Sequence, residues 1–236
     1  MIQYDKVMKK VALFFTFLLL GTSGAFAQSN KYDLNDDGVV DVTDVIQLVN
    51  YILGKHHEAV DLGLPSGTKW ASCNVGATKP EEYGGYYAWG ETEEKDVYME
   101  ETYMYYKNGE YVNIGSDISG TEYDVAHVKW GGKWCMPTWD DFKELLDNCT
   151  YEWTTLNLVK GMKFTSKINN NSIFLPAAGS RRGGDLDNFG PYCYYWSSTQ
   201  NPDYLGDAYD LSFGSGYAGW GRNCYIGRSV RPVVRN

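Results

Sequence analysis

Oxygen-bearing side chains near the amino terminus are spaced as in a loop that surrounds a calcium ion. Side-chain oxygens at positions 1, 3, 5, 9 and 12 of a twelve-residue loop come from Asp33, Asn35, Asp37, Asp41 and Asp44. Val39, at position 7, adds a backbone carbonyl, and Gly38, at position 6, permits the sharp turn that such loops need. Because calcium takes six to eight oxygen ligands, the loop predicts a Ca²⁺ site, and calcium is the only cofactor we expect.

The first 27 residues have the pattern of a secretion signal. Their positive charge comes from Lys6, Lys9 and Lys10, and the apolar run VALFFTFLLL that follows is too short to span a bilayer. Small residues ending at Ala27 offer a cleavage site. We therefore expect residues 1–27 to be removed and the protein to be secreted, held at the cell surface or kept in the periplasm, with no transmembrane anchor in the mature chain.

The net charge bears on the class of partner. The chain carries a formal charge of −9, and an acidic surface repels the phosphates of nucleic acids. No nucleic-acid partner is therefore expected.

Residues 28–54 make up the unit that contains the calcium loop. Apolar residues at helical spacing follow the loop at Val42, Val45, Ile46, Val49, Ile52 and Leu53, and Gly54 ends the helix. Only residues 28–32 precede the loop after cleavage, too few for an entering helix. A loop with an exiting helix resembles one repeat of a type I dockerin, whose paired repeats bind cohesin domains. The resemblance implies a cohesin-like partner for the Val42–Leu53 helix; alternatively, calcium only folds the repeat, and its apolar face packs on the same chain.

A composition rich in Gly, Tyr and Trp begins after a linker of residues 55–59. The segment 60–236 predicts two helices, one capped by Thr121 and one capped by Thr138, where Asp141 completes a capping box. Short strands are predicted at 68–75, 172–178, 194–199, 208–213 and 229–234. Short strands with two helices indicate an α+β domain.

Several motifs in this segment carry a resemblance to a known family. In order they read VDLGLPSGTKWASCNVGA, EEYGGYYAWGET, VKWGGKWCMPTWDDFKELLDNCTYEWTT, NSIFLPAAG, YYWSST and GRSVRPV. They resemble the Fibrobacter succinogenes major paralogous domain, which is abundant in Bacteroidetes and similar in pattern to the C-type-lectin-like fold. One departure is Cys135, which stands where the family usually has an arginine.

The resemblance implies a specific arrangement of the domain. We expect the segments 68–75 and 229–234 to pair side by side, with two helices beside them. The irregular segment 198–228 is then displayed on one face.

Tyrosines recur with Ser, Asn, Asp and Gly in the segment 198–228. Antibody paratopes use this mixture because rigid rings give contact area at low entropy cost and the polar groups adapt. The predicted ligand-binding residues are Tyr204, Asp207, Tyr217, Trp220, Arg222, Asn223 and Tyr225. The alternative is that about half of the rings in this segment, such as Tyr209, fill the core.

The residue types that most often carry catalysis form no recognisable set, and no catalytic residue is predicted. Histidines occur only at His56, His57 and His127, and no metalloprotease, serine-hydrolase or phosphate-loop motif is present. Acidic residues are plentiful and glycosidases need only two, but no pair stands out. The five cysteines form no CxxC pair, so one or two bridges or buried free thiols are both compatible with their spacing.

A tripeptide in the displayed segment is similar to the sugar-binding signature of calcium-dependent lectins. Asn201 and Asp203 flank Pro202, but Gly221 and Arg222 follow Trp220 where those lectins place calcium-binding side chains. An arginine beside calcium is electrostatically unfavourable, so no second calcium site is expected.

Together these features predict an exported, non-catalytic protein that recognises a glycan or a surface-protein ligand. Two alternatives remain open from the sequence. The chain could be a dockerin-type component of a polysaccharide-degrading assembly, or a fimbria-like structural subunit.

Overall fold

Short antiparallel strands make up most of the regular structure. The computed structural model describes residues 57–214, 217–219 and 222–235, with the backbone alone for 217–219 and 222. The chain divides into two compact units, Met1–His56 and His57–Asn236. In the described part of the second unit, two helices accompany fifteen short strands, which confirms the predicted α+β class.

One sheet joins the two ends of this unit. Its strands, in the spatial order β1-β2-β15-β5, are Ala59–Asp61, Lys69–Ala71, Val233–Val234 and Trp134–Cys135. The central pairing is antiparallel, with Trp70 opposite Val233 and Lys69 opposite Val234. The expected side-by-side pairing of the segments 68–75 and 229–234 is therefore confirmed.

A second sheet comes from the middle of the chain. Its strands β6, β7 and β8 are Cys149–Leu156, Val159–Ser166 and Ser172–Pro176. The sequence predicts only β8. The tight turn between β6 and β7 has Asn157 and Leu158 at φ values of 47° and 70°, so two non-glycine residues adopt the left-handed conformation that hairpin turns require.

A third sheet contains much of the segment 198–228. The expectation that this segment is irregular and displayed is therefore wrong for Asp207–Gly214, a strand in which six of the eight residues are buried. Its strands β11, β12, β13 and β14 are Tyr192–Gln200, Asp207–Gly214, Tyr217–Gly219 and Arg222–Asn223. β11 and β12 pair antiparallel, with an irregularity between Trp196 and Gln200. Two small hairpins complete the strands: β3–β4 at Tyr106–Lys107 and Glu110–Tyr111, and β9–β10 at Ser180–Arg182 and Asp185–Asp187.

Helix α1, Val125–Trp130, begins at a different cap from the predicted one. Asp124 is buried, and its Oδ1 accepts hydrogen bonds from the backbone N–H groups of Ala126 (2.8 Å) and His127 (3.1 Å). Thr121 instead donates its hydroxyl to the carbonyl of Ile118 (2.7 Å). The predicted Thr121 cap is therefore wrong, because the longer carboxylate three residues later reaches the first free N–H groups of the helix.

Asp124 also fixes the chain beyond α1. Its Oδ2 accepts from the N–H groups of Gly120 and Met136, each at 2.8 Å. Burial raises the pKa of the Asp124 carboxyl, while the four N–H donors act in the opposite direction. One buried side chain thus ties the start of α1 to the segment that leads into the second helix.

Helix α2, Trp139–Asn148, begins as predicted. The Thr138 hydroxyl accepts from the N–H of Asp141 (3.1 Å), and the Asp141 carboxylate accepts from the N–H of Thr138 (2.7 Å). Phe142 and Leu145 are fully buried on its inner face. The capping box is confirmed.

Buried arginines tie the core together. The side chain of Arg231 is fully buried, and its guanidinium donates to Asn74 Oδ1 (2.8 Å) and to the carbonyls of Ala71 (3.0 Å) and Phe174 (2.8 Å). Ala71 lies on β2, Asn74 lies just beyond β2 and Phe174 lies on β8. Arg231 therefore links the terminal sheet to the middle sheet.

Arg228 forms a buried ion pair with Asp210 of β12. Its guanidinium also lies over the ring of Trp196, 4.3 Å from the centroid. The pair joins the segment after β14 to the centre of the third sheet.

Candidate ligand groove

A groove lined mainly by residues with polar side chains opens where the irregular part of the third sheet meets the start of α2. It has a volume of about 610 Å³, within the range usual for small-ligand sites. Its walls are Asn113, Ser116, Asp117, Thr138, Asp140, Thr199, Gln200, Asn201, Pro202, Leu205 and Tyr209. Six of these belong to the segment 198–228, which the sequence predicts to be displayed.

Backbone hydrogen bonds bring three separate parts of the chain to the groove. The N–H of Gln200 donates to the carbonyl of Ser116 (2.9 Å), and that of Ser198 donates to the carbonyl of Pro137 (2.7 Å). The Thr199 hydroxyl accepts from the N–H of Trp139 at 3.0 Å. The end of β11 is thereby fixed both to the loop before α1 and to the first turn of α2.

Several polar side chains of the groove are held by short-range bonds to the backbone. Asn113 Oδ1 accepts from the N–H of Gly115 (2.9 Å), and Asn201 Oδ1 accepts from the N–H of Asp203 (2.9 Å). Asp117 Oδ1 accepts from the N–H of Ser119 at 3.0 Å. Because each bond uses one oxygen, the amide nitrogens of both asparagines and the second carboxylate oxygen of Asp117 are left for other partners.

The aromatic wall of the groove is also supported. Tyr209 is stacked on Trp139, with 5.5 Å between ring centroids and 16° between planes. Trp139 packs on the core formed by α2 and the terminal, middle and third sheets. The backbone carbonyl of Tyr209 accepts a hydrogen bond from the Ser197 hydroxyl at 2.8 Å. The Tyr209 ring is therefore held in place before any ligand arrives.

None of the predicted ligand-binding residues whose side chains are described lines the groove itself. Tyr204 is about half exposed, at 51 %, and immediately precedes the groove residue Leu205. Asp207 and Asn223 are half-buried and share a hydrogen bond of 3.4 Å between Oδ1 and Nδ2. Tyr225 is half-buried against the core. The side chains of Tyr217, Trp220 and Arg222 lie outside the described residues.

A cluster of tyrosines beside the groove was not predicted. Tyr204 meets the ring of Tyr111 at 5.7 Å, and Tyr111 in turn meets Tyr106 at 4.9 Å and Tyr103 at 6.2 Å. Gly206 is required here because a Cβ at that position would lie 2.6 Å from the Tyr111 ring. The sequence signal for the cluster is the run TYMYYKNGEY, whose tyrosines lie about a hundred residues before Tyr204.

Tyr111 also bears a polar contact within this cluster. Its hydroxyl donates to the Glu100 carboxylate. Burial, and then this carboxylate, raise the pKa of Tyr111. The phenol therefore stays protonated and serves as a donor at neutral pH.

The predicted calcium ligands Asp33, Asn35, Asp37, Val39, Asp41 and Asp44 lie outside the described residues. Within the described ranges, no group of three or more His, Cys, Asp and Glu side chains is arranged to hold a metal ion. At the lectin-like tripeptide, the peptide bond before Pro202 is trans, and the Asn201 oxygen is engaged in its local turn. This geometry differs from the cis-proline arrangement of calcium-dependent lectins.

The cysteines are buried free thiols, one of the two arrangements compatible with the sequence. Burial raises the pKa of Cys193 to about 12, and it also raises the pKa values of Cys73, Cys135, Cys149 and Cys224. Since the thiolate is the nucleophilic form, none of these thiols is activated for catalysis.

The two described histidines, His57 and His127, make contacts at other places than the groove. His57 stacks on Trp130, with 3.4 Å between ring centroids. His127 lies within α1, where its N–H bonds to the Asp124 cap. Neither residue lines the groove.

No helix in the described ranges is long and apolar enough to cross a membrane. Comparisons with protein-family models, with curated proteins and with solved structures give no match.

Proposed function

We propose that the protein is an exported, non-catalytic recognition protein that binds a glycan or a surface-protein ligand in the groove beside Tyr209. The observation that carries the proposal is that the segment with a paratope-like composition supplies more than half of the groove wall. The neighbouring Tyr204 extends the site with an exposed ring.

The absence of catalysis in this proposal rests on how the reactive side chains are used. The thiols are buried and protonated. Of the two groove carboxylates, Asp117 accepts a backbone hydrogen bond, and Asp140 is paired with Lys143 at 2.5 Å. Because Asp140 is in an ion pair, the described groove wall holds no pair of free carboxylates of the kind that glycosidases use.

We further propose that the domain has a C-type-lectin-like fold and belongs with the Fibrobacter succinogenes major paralogous domain. Two features support this assignment: the paired terminal strands and the two helices. The substitution at Cys135 is also accounted for. Arg235 lies 3.0 Å from Cys135 Sγ and 2.5 Å from Asp141 Oδ2, so it supplies the positive charge that the family's arginine would bring.

A prediction for binding concerns the aromatic wall of the groove. Tyr209→Ala removes the ring stacked on Trp139, and we expect at least a tenfold loss of affinity because a rigid contact surface disappears. The measurement applies the labelled mature protein to an array of purified glycans and cell-surface proteins and then titrates each positive.

The matched control for this experiment is Tyr83→Ala, which also removes a half-buried ring but one that lies outside the groove. Wild-type and control should bind alike. Binding by Tyr209→Ala at wild-type strength would contradict a groove site, and so would the failure of the wild-type protein to bind anything on the array.

We also propose that residues 28–54 bind one calcium ion as a dockerin-like repeat. Calorimetric titration of the mature protein with CaCl₂ should give one saturable site. Asp37→Ala should remove it, because that residue provides the carboxylate at loop position 5. Asp203→Ala is the control, since it changes an exposed aspartate within the lectin-like tripeptide. If Asp37→Ala still gave the heat of calcium binding, the ion would lie elsewhere.

A second candidate function follows from the apolar residues at helical spacing in the predicted helix Val42–Leu53, which suit a dockerin-type component of a polysaccharide-degrading assembly. Pull-down with a purified cohesin domain distinguishes the two functions. Capture that depends on calcium and on Ile46 supports assembly, whereas capture that persists in Ile46→Asp does not.

A further inference from the structure

The charge and hydrogen-bonding groups of the groove narrow its ligand class. We infer that the groove binds an uncharged carbohydrate, with one sugar ring lying against Tyr209. This inference rests on the proposed recognition function and specifies its ligand.

The first argument is electrostatic. The described residues of the groove wall include Asp117 and Asp140 but no Lys, Arg or His. The nearby cations are already paired, Lys143 with the groove residue Asp140 and Arg235 with Asp141. A phosphate, sulfate or uronate group would therefore find no unpaired cation in the described wall and would meet the Asp117 carboxylate, in a protein of formal charge −9. Both conditions oppose the binding of an anion.

The second argument is the set of available donors and acceptors. A sugar hydroxyl both donates and accepts, so it is best matched by amide nitrogens placed beside carboxylate or carbonyl oxygens. Among the described residues, the amide nitrogens of Asn113 and Asn201 make no hydrogen bond to protein, while the oxygen of each is held by a backbone N–H. Asp117 adds a fixed carboxylate.

The third argument concerns the aromatic wall. The C–H faces of a pyranose ring are apolar and pack on an aromatic ring, and the cost of ordering that ring falls when it is already fixed. Tyr209 is fixed by its stack on Trp139. A sugar ring needs polar groups for its hydroxyls beside an aromatic surface for its C–H face, and the groove holds both in fixed positions.

The size of the groove separates a sugar from a protein ligand. A stable protein partner needs about 800 Å² of surface on each side with an apolar centre. The groove has a volume of about 610 Å³, which is typical of a small-ligand site. Most of its wall residues carry hydroxyl, amide or carboxylate groups, so it lacks the apolar centre of a protein interface. An oligosaccharide fits this combination.

The test is native affinity electrophoresis of the mature protein in gels containing β-glucan, galactomannan, arabinoxylan or polygalacturonate. We expect retardation by at least one neutral polysaccharide and none by polygalacturonate. Calorimetry with the matching oligosaccharide should then show at least a tenfold loss for Tyr209→Ala and for the double variant Asn113→Ala/Asn201→Ala. Tyr209→Phe, which keeps the stacked ring, should bind within about threefold of wild type.

Circular dichroism and a urea midpoint for each variant exclude unfolding as the cause. Preferential retardation by polygalacturonate would overturn the uncharged class while leaving recognition in place. The carbohydrate class would also be overturned, and recognition left in place, if no polysaccharide retarded the protein but a purified surface protein bound it and Tyr209→Ala abolished that binding. If no glycan or protein probe binds, both the inference and the proposed function fail.

Discussion

Arg231→Met is expected to lower the free energy of unfolding by at least about 3 kcal/mol. The substitution keeps the aliphatic stem but removes the guanidinium from Asn74 Oδ1 and from the carbonyls of Ala71 and Phe174. Each acceptor then stays buried without its charged donor, and such a loss costs about 1–3 kcal/mol per group. Urea denaturation of the mature protein, followed by tryptophan fluorescence, measures the change.

Arg182→Met is the matched control, because Arg182 is exposed at the end of β9. We expect the control to lie within about 0.5 kcal/mol of wild type. Arg231→Lys should fall between them, since one ammonium cannot serve three acceptors in different directions. If Arg231→Met unfolds at the wild-type urea concentration, the link between the terminal and middle sheets is not what stabilises the fold.

Asp210→Ala is expected to destabilise the protein by a similar amount, about 3–5 kcal/mol. It leaves Arg228 buried against Trp196 without its carboxylate, and breaking one half of a buried ion pair costs that much. Replacing both partners removes the unpaired charge. We therefore expect Asp210→Ala/Arg228→Met to recover much of the loss.

A double-mutant cycle in urea measures the coupling between these two residues. The double variant should be clearly more stable than the sum of the two single changes predicts. Simple additivity would mean that Arg228 is stabilised mainly by the aromatic rings of Trp196 and Tyr194. Asp203→Ala, an exposed aspartate, is the control for loss of charge alone.

Elements governed by local chemistry could be predicted from the sequence. The α2 cap needs only Thr138 and Asp141, three positions apart, and the structure confirms it. The α1 cap was assigned to Thr121 because the sequence does not show that Asp124 is buried where it can reach four N–H groups. The β6–β7 hairpin was missed because its turn uses Asn157 and Leu158 instead of the glycine that usually marks such turns.

The groove was predictable only on one side. Composition pointed to the segment 198–228, and this segment supplies Asn201, Leu205 and Tyr209. The opposite wall comes from 113–117 and from the start of α2, which approach β11 through backbone bonds such as Gln200 to Ser116. Contacts between residues so far apart in sequence leave no local pattern. Tyr209 shows the same limit, since the sequence leaves open whether this ring fills the core, and the structure gives a half-buried ring that also lines the groove.

The order β1-β2-β15-β5 in the terminal sheet determines how the described domain responds to mechanical load. β1 and β15 each pair antiparallel with β2, so they run in the same direction. The chain enters at Ala59, beside Ala71, and leaves beyond Val234, beside Lys69, at the other end of the strands. A force pulling these two points apart acts along the strands, in shear, so the hydrogen bonds on both sides of β2 share the load instead of opening one at a time.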